Sequence, residues 1–115
     1  MKGLSIPFLL LGLSLVPAGA ATPDPAVTAL ISQAREAQVK GETELALRLA
    51  QAAIVAGPAS TAGYVALGDL YARQGHADYA RSYYEAALQI DPDDASARQA
   101  IAALQTPAQA ASAKP

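Results

Sequence analysis

Few side chains in this sequence could do chemistry. His76 is the only imidazole and follows the turn residue Gly75, where the polarity of a loop accounts for it as well as proton transfer or metal ligation would. Asp91-Pro92-Asp93-Asp94 gathers carboxylates, but neither the central glycine nor the distal glutamate of a calcium loop follows. A turn followed by a helix cap explains the cluster. The chain has no cysteine, which excludes disulfide frameworks, thiolate zinc sites, iron–sulfur clusters and thiol nucleophiles. No phosphate-binding glycine loop, nucleophile elbow or paired-histidine motif occurs. The residues therefore point to a non-enzyme with no cofactor, no metal and no small-molecule substrate. A net charge of -2 provides no general basic surface to neutralise a phosphate backbone, so nucleic-acid binding is disfavoured.

What has to position these side chains is one small domain, since 115 residues suffice for one and not for two. Hydrophobic residues make up 52% of the chain, but about a quarter of all residues are alanine, which buries little area. The few large apolar side chains must then sit at chosen positions in a helical, closely packed fold. The first twenty residues differ from the rest: Lys2, an uncharged apolar run from Leu4 to Val16, then Pro17-Ala18-Gly19-Ala20 with its small-x-small ending. This reads as a signal peptide over residues 1–20, with an uncleaved membrane anchor as the alternative. The run is shorter than the roughly twenty residues a membrane helix needs, and no cysteine follows it to carry a lipid. The expectation is an exported protein, in a bacterial periplasm.

Past the signal, punctuation is evenly spaced. Asp24 can cap a helix whose first residue is Pro25. Gly41, Gly57-Pro58, Gly75 and Asp91-Pro92 then divide the chain into helices of about residues 25–40, 43–56, 61–74, 77–90 and 94–105. Thr106 to Pro115 lacks large apolar residues and reads as a disordered tail over 106–115. Gly41 and Gly75 are 34 residues apart, as are Pro58 and Pro92. A fixed period of this size marks a repeat architecture. It divides the domain, residues 21–105, into a first unit over 27–60, a second over 61–94 and a last helix over 94–105.

The second unit carries Tyr64-x-x-Leu67-Gly68-x-x-Tyr71, then Gly75, Ala80, Tyr84, Ala87-Leu88-x-Ile90 and Pro92. It resembles the tetratricopeptide repeat, with Tyr64 at the tryptophan position and Tyr84 at the phenylalanine position. In the first unit Leu30, Ala34, Gly41, Ala46, Ala53-Ile54 and Pro58 fall in register, while Gln33, Ala37 and Ala50 stand where leucine and two aromatics belong. Small residues at Gly68, Ala80 and Ala87 would let helix backbones approach most closely, with Tyr64, Leu67, Tyr71, Tyr84 and Leu88 filling the space around them. The resemblance implies an all-α fold, in which antiparallel helix pairs stack as a short right-handed solenoid of about five helices. It also implies a protein-binding role. In the family, the first helix of each unit lines a concave groove. That groove would show Thr28, Ile31, Ser32, Arg35, Gln38 and Val39 from unit one, Ala62, Val65, Asp69, Ala72 and Arg73 from unit two, and Ser96 and Gln99 from the last helix. Members that hold chaperone C-terminal carboxylates use a Lys/Asn/Arg set there, and this chain departs from it with Ile31, Arg35, Val65 and Asp69. Arg35 and Asp69 are at equivalent places one repeat apart. They could pair with each other or meet a ligand.

The repeat arithmetic yields a second surface. Leu45 and Leu49 lie one turn apart, and 34 residues later stand Tyr79 and Tyr83. Two readings are open: an exposed apolar stripe for a partner or a second copy of the chain, or half-buried Leu49 and Tyr83 with Leu45 and Tyr79 packed on their neighbours. The functional expectation is an adaptor or scaffold of the bacterial cell envelope that binds a protein partner, with a homodimer as one form of that partnership. The alternative is a holdase that binds many unfolded apolar segments.

Overall fold

The computed structural model describes residues 24–105; the signal peptide and tail expected at 1–20 and 106–115 lie outside the described residues. Five helices follow in order: α1 (Pro25–Val39), α2 (Thr43–Ala56), α3 (Thr61–Arg73), α4 (Ala77–Ile90) and α5 (Ala95–Leu104). The fold is all-α, as the spacing of glycine and proline predicts, and each helix end has a local cause. Asp24 Oδ1 accepts the Ala26 N–H at 2.8 Å, with Pro25 in the first position, where a missing N–H leaves no bond unmade. Ser60 Oγ accepts the Ala62 N–H at 3.2 Å, and Asp94, not Asp93, caps α5 by accepting the Ala97 N–H at 2.9 Å. α2 and α4 have no side-chain cap, but Glu44 and Asp78 in their first turns face the positive end of the helix dipole.

The repeat extends to the turn hydrogen bonds. α1 and α3 stop at Gly41 (φ 81°) and Gly75 (φ 84°), in the left-handed region that favours glycine. After each, the next residue donates back across the turn, from Glu42 N–H to the Ala37 carbonyl at 2.8 Å and from His76 N–H to the Tyr71 carbonyl at 2.9 Å. The other two loops match as well: Ser60 N–H donates to Gly57 and Asp94 N–H to Asp91, each at 3.0 Å. Asp91 is extended, the conformation imposed on a residue before proline.

Packing joins α1 to α2 and α3 to α4 as hairpins, α2 to α3 across the units, and α1, α3 and α5 side by side. The core is mostly alanine. Val27, Ile31, Ala34, Ala37, Ala46, Ala50, Ala53, Ala66, Leu67 and Leu70 form one buried cluster, and Ala80, Tyr84, Ala87, Ala97 and Leu104 form the other. Leu67 is almost completely enclosed, whereas its counterpart Gln33 is exposed on the outer flank of α1. The close approach expected at Gly68 is of another kind. At Gly68 it is a ring and not a backbone that comes nearest: a Cβ there would lie 2.4 Å from Tyr84 Cε1. Backbones meet instead at Gly63, where a Cβ would sit 3.0 Å from the Ile54 nitrogen and 3.2 Å from its Cα. Asp94 also accepts the Thr61 hydroxyl at 3.0 Å through its other oxygen, fastening the start of α3 to the start of α5.

Candidate protein-binding site

Because α1 and α3 lie side by side, residues one turn apart on each face one another across a shared cleft. That cleft has a volume of about 340 Å³ and is lined by Ala34, Arg35, Gln38 and Val39 of α1 and by Ala66, Asp69, Leu70 and Arg73 of α3. Its floor is apolar, since Ala34, Ala66 and Leu70 are buried. Its walls are polar or charged: Gln38 and Asp69 are half-buried, and Arg35 and Arg73 are exposed. Val39 interrupts that polarity at 87% exposure, and the surface continues past it over Glu36 and Lys40.

Of the groove residues expected from the sequence, the structure gathers Arg35, Gln38, Val39, Asp69 and Arg73 around this cleft, while Thr28, Ser32, Ala62 and Ala72 do not line it. Ile31 does not line it; the side chain is turned into the core between the helices. Val65 is half-buried against the second core cluster and lies outside the cleft lining. Ser96 and Gln99 are exposed on α5, away from the cleft. Asp69 is not paired with Arg35. Its Oδ1 accepts the Tyr84 hydroxyl at 2.7 Å, a bond the buried phenol requires because it cannot reach water. Burial first, and then this bond and the carboxylate's charge, push the Tyr84 phenol well above the ordinary tyrosine range. Among the described residues the one ion pair joins Arg98 and Asp93 at 3.7 Å, leaving the Arg35 and Arg73 guanidiniums without a paired carboxylate. The sequence carried a signal for the Asp69–Tyr84 bond, in that a tyrosine at a core position must find an acceptor, but not for which residue supplies it.

The other expected surface divides. Leu49 and Tyr83 are half-buried against the first core cluster, while Leu45 remains 38% and Tyr79 59% exposed. Tyr79 is not isolated. Tyr71, which sequence reasoning treated as packing only, stacks on Tyr83 with ring centres 5.5 Å apart and meets Tyr79 edge-on at 5.4 Å. His76 joins the same group, its ring centre 5.6 Å from that of Tyr79. Its place beside the turn is thus occupied by aromatic packing, which stabilises the α3–α4 end.

Residues 61–94 match the tetratricopeptide repeat. The second unit carries the tetratricopeptide-repeat pattern. The matched segment runs from the first residue of α3 to the cap of α5, the span of the second unit. No curated protein matches the chain. Tetratricopeptide repeats generally mediate protein–protein interaction, and the α1–α3 cleft is formed by the first helix of the matched repeat and the first helix of the unit before it.

Proposed function

We propose that this protein is a non-catalytic adaptor of the bacterial cell envelope, which holds an extended segment of a partner protein along the α1–α3 cleft. The observation that supports this reading is the cleft itself: an apolar floor, charged walls without a paired carboxylate, and an exposed valine at the rim. An interaction groove needs this combination, because apolar area supplies affinity while polar groups fix register and orientation. Export rests on the sequence of residues 1–20. The mass of the processed chain from an envelope fraction tests it, with a start at Ala21 or Thr22 expected.

A photo-crosslinking amino acid at Gln38, compared with one at Glu85 on the exposed side of α4, tests the groove in cells. One stoichiometric adduct from position 38 and none from position 85 is the expected result. Many adducts, with suppression of aggregation of unrelated unfolded proteins, would favour a holdase instead. A single adduct from position 85 alone would move the site to the α2–α4 side.

A further inference from the structure

The chain is acidic overall, with a net charge of -2, yet Arg35, Lys40 and Arg73 all line or border this one cleft. Asp69 and Glu36 offset two of these three cations and leave the cleft and its border one positive charge in excess. Asp69 has one oxygen engaged by Tyr84, and Glu36 forms no ion pair among the described residues. The repeat accounts for the pattern. Arg35 and Asp69 occupy equivalent positions 34 residues apart, as do Val39 and Arg73, so α1 contributes a cation followed by an apolar side chain and α3 an anion followed by a cation. The two guanidiniums therefore stand at diagonal corners, with Val39 at a third.

Resting on the groove reading above, we infer that the segment bound there is acidic and aliphatic: a carboxylate side chain between Arg35 and Arg73, and an aliphatic side chain against Val39. Each guanidinium has its forked donors available, a valine at 87% exposure offers apolar area to cover, and the oxygen of Asp69 not used by Tyr84 can accept a main-chain N–H. A neutral segment would leave both cations unpaired, and a basic one would be repelled. Pairs this exposed to water govern specificity and encounter rate more than total affinity, and they weaken as salt rises.

The test uses the intact chain, isotopically labelled and titrated by NMR with three eight-residue peptides in which leucine alternates with glutamate, glutamine or lysine. The glutamate peptide should bind about tenfold or more tightly than the glutamine peptide, a difference expected of charge-assisted recognition. It should move the amide signals of α1 and α3, and the preference should shrink with added salt and vanish in Arg35→Gln/Arg73→Gln. Equal binding of the glutamate and glutamine peptides, with shifts still on α1 and α3, would overturn the acidic preference and leave the groove reading standing. Shifts confined to α2 and α4 would overturn both. Absence of binding by the glutamate peptide would overturn the inference as well.

Discussion

The two units share their period, turns and hydrogen bonds, but fill their interiors differently. In unit one the positions corresponding to Tyr84 and Tyr71 are Ala50 and Ala37, both buried. Small side chains there let α1 and α2 pack with no polar atom to satisfy. Unit two places the Tyr84 ring in the space that Gly68 leaves open, which obliges the phenol to find Asp69. The aromatic solution brings a carboxylate to the cleft, whereas the alanine solution leaves Arg35, the counterpart of Asp69, unattached. The unequal interiors of the two pairs thus decide the charge pattern of the surface between them.

That contrast can be broken most severely at the ring. Tyr84→Ala should cost about 3–5 kcal/mol in chemical denaturation, the range for truncating a buried aromatic, whereas Ala50→Gly at the equivalent place should cost only about 1 kcal/mol, mainly through helix propensity. Next come the glycines. Gly68→Ala and Gly63→Ala should each cost about 1–3 kcal/mol by overpacking. Combining Gly68→Ala with Tyr84→Ala recreates the alanines of unit one at 34 and 50, so in that background the Gly68 substitution should become neutral or favourable by up to about 1 kcal/mol. A stepwise cost in the double variant would show that the ring is not what excludes the Cβ.

Tyr84→Phe should have a smaller effect, about 1 kcal/mol for the lost hydrogen bond, and it should change the alkaline limb. The folded phenol holds its proton more tightly than the unfolded one. Its contribution is therefore complete below the ordinary tyrosine value near about 10 and is lost as the pH climbs from there toward the raised folded value. Melting temperatures between pH 9 and 11 should fall less steeply in the phenylalanine variant. Smallest of all, Gln33→Leu should change stability by no more than about 0.5 kcal/mol, although the same leucine at position 67 is enclosed. A large gain would mean that something packs on the outer flank of α1.

Helix boundaries were legible because Gly41, Gly75, Pro58 and Pro92 act locally. A residue that must take φ > 0, or that lacks an N–H, ends a helix whatever surrounds it. Five cleft residues, Arg35, Gln38, Val39, Asp69 and Arg73, were legible because their spacing follows the helical turn. Ile31 was misplaced because the boundary between groove and core depends on how far α1 is rotated against α3, which periodicity does not encode. Gly63 passed unnoticed for a similar reason: a glycine within a helix marks close approach only when its neighbour, here Ile54, is known. The Asp69–Tyr84 bond spans 15 residues and depends on the depth at which α3 and α4 cross.

The outer flank of α1 has one more consequence. Where α3 turns Gly63, Leu67 and Leu70 inward, α1 presents Ala29, Gln33 and Glu36 at the same places, all exposed. A helix arriving from another molecule would find an amide and a carboxylate where continued stacking needs a greasy seam. Gln33 and Glu36 thus deny this flank the apolar seam through which one solenoid unit stacks on the next.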